Sequence, residues 1–600
     1  MLQRIGLLTI AAGVILCAWQ VSMIAQVAPA PARLKPAKPV AEEASTTLRI
    51  AFAPNESPTL DPHAARDPFS FRLISAAYET LYMYEPGAHP HVVPCLAKDF
   101  PTISEDGLTV TIKVNTDAKF HSNICFGEAR SRNLKASDVV HSLKRLAVYG
   151  DNGMYWLAGG LIKGLDEYAT KARYDLIYTS TDTVVEGLKA PDDETVVITL
   201  TRPYAPLVTM LAHPAFSIVA REGIDNLSGM LSERMVGTGP YRLNAVSDGV
   251  LYVFKRWDDY RGDKPHFERV TFSRRTYWND FVEGLKTAKF HEMPMWPEYF
   301  DRVVKDNKPA GELAKTPTEI VTQEEHGYYF LSFNMKDELW GALDDDGRAL
   351  RRAVSLCVNR DQVLEDAQWA ADWNGVQTGL YPNGMEFEDT DDTLNYGGFD
   401  LDLAKKTLDG SKYKGGLDPA TGKALTLSFL VYDTSRLRSE YARLYNQLIV
   451  NLRAGLKTLG IKLDVSYLDT TNYRNEVVKA DEQLFISGWF LDYPDAGNFL
   501  QLFWSLNADT GLEFNNTARY ASPEFDRLFT EYNTLLPTDA NLEKRRELVA
   551  GMAKEIAKDQ PTIPLVHRRT VFLRNNGAVE WASMPRQTFN DIRFVKGTDQ

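Results

Sequence analysis

One segment gathers side chains that could do chemistry together: GWFLDYPDAGNFL, residues 488–500. Trp489, Phe490, Tyr493 and Phe499 surround two carboxylates, Asp492 and Asp495. The segment follows DEQLFIS, which reads as a strand running into a loop. Two readings stand side by side. In one it is an aromatic-rich turn whose acids accept bonds from backbone N–H groups. In the other it is a ligand site, with aromatic walls and a few placed polar groups.

The rest of the chain offers no catalytic constellation. There is no G-x-S-x-G, no H-E-x-x-H, no Walker loop and no C-x-x-C. GTGP (237–240) is followed by Tyr241-Arg242-Leu243, a strand start, so it reads as a tight turn rather than a phosphate cradle. His291-Glu292 has no second histidine four residues on. His89, His91, His121, Cys95 and Cys125 form the one metal-like group, and their spacing matches no standard zinc site. Asp344-Asp345-Asp346 and Asp391-Asp392 lie in polar, turn-like stretches and read as solvated loops. The expectation is a binding protein with no cofactor and no metal, not an enzyme.

Elements able to position the 488–500 segment are visible around it. ALTLSFLVY (424–432) reads as a buried strand. Leu437, Tyr441, Leu444, Leu448, Leu452, Leu456 and Leu459 recur at helical spacing, and Gly460 ends the helix. IKLDVSYL (461–468) then alternates as a strand. Strand–helix–strand of this length is a βαβ crossover, hence α/β architecture with parallel strands. LTVTIKVN (108–115) reads as a half-buried strand. LKASDVVHSLKRL (134–146) reads as a helix opened at Ala136 or Ser137, with Val139, Val140, Leu143 and Leu146 on one face. Residues 542–557 form another amphipathic helix through Leu548, Met552 and Ile556.

Composition narrows the class. Apolar residues are 44% and charged residues 24% of 600, a globular balance long enough for several domains. Acidic residues number 80 against 67 basic, net −13, the wrong sign for coating nucleic acid. Ile5–Ala25 is apolar apart from Thr9, Gln20 and Ser22, and Arg4 precedes it. That is an export signal, either cleaved or kept as an anchor, so residues 1–32 are an address and the body lies outside the cytoplasm. Residues 33–47 belong to a Pro/Ala-rich, extended tether. Of four cysteines, Cys17 lies in the address and Cys357 in a helical pattern as a core thiol. Cys95 and Cys125 are equally consistent with a bridge and with two separate thiols.

From about residue 48 to 595 the chain resembles, in order, the family 5 extracellular solute-binding proteins of ABC importers. The resemblance rests on LDPHAARDPFSFRLISAAYETLYMYEP (60–86), LKASDVVHSLKRL, VGTGPYRL (236–243) and FKRWDDYRGDKPHFERVTF (254–272). YYFLSFNMK (328–336) with RALRRAVSLCVNRDQV (348–363), LKTLGIKLDVSYLDTTNYRNEV (456–477), RYASPEFDRLF (519–529) and RRELVAGMAKEIAKDQPTIPLVH (545–567) continue it. It implies a two-lobed, Venus-flytrap-like periplasmic-binding-protein fold. Lobe I would be 48–90, 214–322 and 561–600, with an appended subdomain at 91–213 and lobe II at 323–560. Two crossings near 322 and 560 would act as hinges.

The resemblance also implies a peptide ligand and an ABC permease as partners of a monomer at the periplasmic or outer face of the membrane. By position, Asp492 would pair with the peptide's α-ammonium, with Trp489 as a wall and Tyr493 beside it. An ammonium held between lobes needs such a carboxylate, because an unpaired buried charge is expensive. One departure stands out: many relatives have Asp-Pro where this chain has Asp495-Ala496, beside Pro494. The same fold carrying an oligosaccharide or a metal chelate, and a tethered ligand sensor, are the alternatives.

Overall fold

The structure, a computed structural model, describes residues 46–598 apart from short internal stretches. The longest of these are 176–182, 226–230, 367–373, 382–386, 388–397, 434–438, 509–514 and 582–590. The apolar segment 1–32, nearly all of the tether, His89, His91 and Asp391-Asp392 therefore lie outside the described residues. Among the described residues no helix is long and apolar enough to cross a membrane.

The chain enters through β1 (Thr47–Phe52), which packs Leu48, Ile50 and Phe52 into one core. Helix α1 (Pro68–Ala77) starts at Asp67, whose side chain accepts from the Ser70 N–H, with Pro68 in the first turn. A region with its own small sheet follows. It holds β2 (Thr109–Lys113), α2 (Ala136–Tyr149) and β3 (Thr195–Thr199), with β2 and β3 antiparallel in the middle of a four-stranded sheet. Val139, Leu143 and Leu146 of α2 are buried, the face their spacing predicts.

GTGP is a tight turn packed on the end of α1. A Cβ on Gly237 would lie 2.1 Å from the Ala77 carbonyl oxygen, so only glycine fits there. The His121 N–H donates to the Gly237 carbonyl (2.8 Å), and His121 Nε2 bonds the Gly239 carbonyl oxygen at 2.9 Å. Strands β4 (Tyr241–Ser247), β5 (Leu251–Arg256) and β6 (Arg269–Arg274) then form a meander whose last strand runs parallel to β1.

The second half begins from β7 (Glu292–Pro294) and the long β8 (Thr318–Phe333). Helix α3 (Asp345–Leu356) is capped by Asp344, which accepts from the Gly347 N–H at 2.7 Å. The acidic triplet is thus a helix start rather than a loop; carboxylates are favoured there by the exposed N–H groups and the helix dipole. Strand β9 (Thr426–Tyr432), helix α4 (Ser439–Thr458) and β10 (Lys462–Leu468) form the expected βαβ unit, with β9 and β10 parallel from Thr426↔Lys462 onward. Leu444, Leu448, Leu452 and Leu456 of α4 are buried against the sheet, each worth about 1.5–3 kcal/mol. Leu437 lies outside the described residues. Gly460 follows with φ +78°, a left-handed conformation that glycine adopts without strain. Strand β11 (Leu484–Phe490), helices α5 (Pro523–Tyr532) and α6 (Leu542–Asp559) and strand β12 (Thr562–Asn575) complete the order.

Strands order as β10-β9-β11-β8-β12-β7-β1-β6-β5-β4, with residues 374–376 also pairing β12. The antiparallel pair β8 and β12 is the bridge in this α/β, two-lobed architecture. Thr318–Glu324 pairs with Arg569–Asn575 on the side that leads to β7 and β1. Past a register shift between Glu324 and Tyr328, the same strands pair again and β8 joins β11. Separate hydrophobic cores flank the two ends.

Candidate functional site

Strand β11 delivers the 488–500 segment. Leu484, Phe485 and Ile486 are buried, and Tyr328↔Trp489 is a register pair with β8. Gly488 lies under the Tyr329 ring, where a Cβ would come within 2.8 Å of the ring edge. The strand ends when the Leu491 N–H donates to the His326 carbonyl at 2.7 Å. The chain then turns, and a short helical turn, Gly497–Leu500, follows.

The two acids of this turn have different partners. Asp495 is 2% exposed. Its Oδ2 pairs with Arg545 of α6 at 2.6 Å, and its Oδ1 accepts from the Tyr532 hydroxyl of α5 (2.7 Å) and from the Gly497 N–H (2.7 Å). Arg545 is itself fully buried. Asp495 therefore clamps the turn onto two helices, buried by the groups that hold it.

Asp492 is the opposite case. Among the described residues it has no cationic partner. Its Oδ2 accepts from the Asn498 amide at 3.2 Å, while the Asn498 Oδ1 accepts from the Asp492 N–H (3.2 Å) and the Trp489 indole N–H (2.9 Å). Burial pushes the Asp492 carboxyl up to about 7, and the Asn498 hydrogen bond offsets only part of that. The residue retains part of its surface accessible to solvent. Asn498, fully buried, is the hub that orients both Asp492 and Trp489.

Segments far earlier in the chain meet this turn directly. Trp156 stands edge-to-face on Trp489, with ring centroids 5.2 Å apart. The Tyr204 and Tyr493 hydroxyls share a hydrogen bond of 2.6 Å. The Ala205 N–H donates to the Asn533 carbonyl at 2.7 Å. Tyr84, whose hydroxyl donates to the Thr209 carbonyl, has its pKa raised well above the usual tyrosine range by burial and then by the Asp492 charge. Asp492 thus lies in the turn that meets the segments bearing Trp156 and Tyr204, with aromatic rings from both sides near it.

Of the three residues singled out in the sequence, Trp489 and Asp492 share one hydrogen-bonded hub. Tyr493 is placed differently: it is 1% exposed and packs into a core otherwise built by residues from 48–272 and 579–595. Its hydroxyl shares a hydrogen bond with that of Tyr204. Sequence reading missed Asn498, Arg545, Tyr532, Tyr204 and Trp156. Only Asn498 lay within the segment, as the polar residue six positions after Asp492.

Cys95, Cys125 and Cys357 are buried and in no disulfide, so the two-thiol alternative describes Cys95 and Cys125. The Cys95 thiol is pushed up to about 12 by burial and then by Glu79, at 3.3 Å. Among the described residues no group of three or more His, Cys, Asp or Glu side chains is arranged to hold a metal ion.

The profile of the bacterial extracellular solute-binding proteins, family 5 (middle region), matches residues 91–511. The chain belongs to this family. The glutathione-binding protein of Pectobacterium atrosepticum is 23% identical over 546 residues, covering 89% of this chain and 91% of that protein. The dipeptide-binding protein of Escherichia coli is 25% identical over 488 residues, covering 80% and 82%. A periplasmic binding protein of an ABC transporter from Helicobacter pylori, solved with the peptide STSA, superposes with TM-score 0.63 at 18% identity, covering 92% of this chain and 98% of that one. The two-lobed binding-protein fold is therefore shared across the described chain.

Proposed function

We propose that this protein is the extracytoplasmic substrate-binding component of an ABC importer, taking a peptide between its lobes and delivering it to a membrane permease. The observation that carries this reading is Asp492: a carboxylate between the lobes, oriented by Asn498, with no cation of the described chain to neutralise it. A peptide's α-ammonium supplies that cation, and the Trp489–Trp156 pair forms an apolar wall beside it. Relatives named for glutathione and dipeptides fit a ligand bearing a free ammonium.

Physical chemistry gives each part a role. Outside the site the ammonium is solvated; between the lobes it needs a fixed counter-charge, or its burial costs several kcal/mol. The extended peptide backbone would bond to protein strands as an added strand does, leaving side chains to roomy pockets. In this reading the lobes are 48–90 with 214–322 and 561–600, and 323–560, with 91–213 appended to the first and hinges near 322 and 560. The segment 1–32 exports the body and, if retained, tethers it to the outer face of the membrane. The protein acts as a non-catalytic monomer.

Native mass spectrometry of protein isolated without denaturation tests the reading. The expected result is a family of adducts with peptide masses, released on unfolding and lost when Asp492 is changed to Asn. Adducts with hexose spacing, or carrying a metal isotope signature, would overturn it in favour of a sugar or a metal chelate.

A further inference from the structure

A short strap, Thr201-Arg202-Pro203-Tyr204-Ala205-Pro206, runs between two hydrophobic cores. Leu207, Val208 and Met210, just after it, are buried in the core built from 48–272 and 579–595. Facing it is the core that holds Trp504, Phe529 and Tyr532. Pro203 packs on its own side, where a Cβ on Gly107 would come within 2.9 Å of the proline ring. The Thr201 hydroxyl and the Arg202 guanidinium both donate to the Gly160 carbonyl, at 2.6 and 3.0 Å. The strap is thereby tied to the loop that bears Trp156.

Three contacts fasten the strap to the far side, each by different chemistry. The Tyr204 and Tyr493 hydroxyls share a hydrogen bond of 2.6 Å. The Arg202 guanidinium stacks 5.0 Å from the centre of the Trp504 ring. The Ala205 N–H donates at 2.7 Å to the carbonyl of Asn533, the residue that ends α5, where a helix leaves its carbonyls without intrahelical donors. Tyr493 reaches the other way and is buried in the first core.

Both partners of each contact belong to the chain, so none needs a ligand to bridge it. Proline fixes φ at positions 203 and 206, with Pro206 at −67°, so docking costs the strap little backbone freedom. Separation would return Tyr493 and Trp504, now 1% and 7% exposed, to water.

We propose that residues 201–206 are a clasp that holds the protein closed on its own contacts, so that entry of a ligand to the 488–500 turn waits on release of the clasp. A closed state favoured by the chain itself lowers the fraction of molecules open to ligand, and with it the rate of capture. The clasp does not depend on what the turn binds. Its failure would leave the Asp492 reading standing, and failure of that reading would leave the clasp.

The test uses the full chain, refolded from urea to strip carried-over solute and checked for adducts by native mass spectrometry. Deuterium exchange reads the Ala205 amide, because Pro203 and Pro206 have no N–H and only Tyr204 and Ala205 lie between them. Hydroxyl-radical footprinting reads the exposure of Tyr493 and Trp504. In wild type the amide should exchange slowly and both side chains should resist oxidation. Arg202→Gln combined with Tyr204→Phe should speed exchange about tenfold or more, through loss of a stacked cation and a hydroxyl hydrogen bond, and should oxidise both side chains faster. Tyr493→Phe removes the same hydroxyl bond and should add little to Tyr204→Phe. Wild-type exchange at the rate of an unstructured chain overturns the proposal without needing a variant. A double variant indistinguishable from wild type also overturns it. So does faster exchange with Tyr493 and Trp504 still protected, which would make the strap a locally fraying loop between cores that stay joined.

Discussion

Asp495→Ala should destabilise the second lobe far more than its single side chain suggests. The substitution removes the partner of Arg545, an acceptor for the Tyr532 hydroxyl and the cap of the Gly497 N–H, all inside the protein. Breaking a buried pair by removing one member costs about 3–5 kcal/mol, because the surviving charge stays out of water without compensation. By contrast, the Arg527–Glu524 pair on α5, with both side chains more than half exposed, should lose little stability when Glu524 becomes Ala, because solvent screens it. The cost should come from the stranded guanidinium. Asp495→Leu combined with Arg545→Met should therefore recover more than half of the single-variant loss, since apolar replacement of both partners is near neutral. Urea unfolding followed by tryptophan fluorescence reads these differences as shifts in midpoint at unchanged slope. A loss below about 1 kcal/mol for Asp495→Ala, or a double variant no better than the sum of the singles, would refute the buried-pair argument.

Asp492 makes stability depend on pH with a definite sign. Its carboxyl titrates near 7 in the folded chain against 3.8 ordinarily, so the folded state holds a proton that the unfolded state has released between those values. This group's contribution must then become less favourable as pH rises through that window. Asp492→Asn should be more stable than wild type at pH 8, with the gap narrowing steadily in thermal melts as pH falls from 7 towards 3.8; a gap that widens on acidification would contradict the assignment. Gly237→Ala should destabilise the first lobe by about 2 kcal/mol or more, because its methyl group meets the Ala77 backbone at 2.1 Å; a melting temperature equal to wild type would show that the turn yields. Thiol alkylation after non-reducing denaturation should label Cys95, Cys125 and Cys357 alike, and a peptide map retaining a Cys95–Cys125 bridge would overturn their assignment as unbridged thiols.

Local pattern carried most of the fold. The 426–468 βαβ unit, the helix from Ala136 and the turn at Gly237 each follow from periodicity or turn chemistry within a dozen or so residues. The Asp344 triplet was the local error: three acids read as a loop, whereas the first is a cap and the next two open a helix. The site was legible only where it is local. The segment bearing Asp492 and Trp489 is contiguous, and its aromatic and acidic content marks it. What separates its two acids is not local. Asp495 is claimed by an arginine 50 residues away and a tyrosine 37 away, and Tyr493 by a tyrosine 289 away. No spacing rule reaches that far, because such contacts arise from helices and lobes packing rather than from any repeat along the chain.

The central claim is that Asp492 anchors a ligand ammonium, and one thermodynamic cycle tests it most directly. A peptide recovered from the native protein is titrated calorimetrically, free and N-acetylated, into wild type and Asp492→Asn. The account predicts that either change alone weakens binding by roughly a hundredfold or more, as loss of one member of a buried charge pair requires. It predicts that the second change adds little once the first is made, since both remove the same contact. Wild-type affinity in Asp492→Asn, or N-acetylated peptide bound as tightly as free peptide, would contradict it.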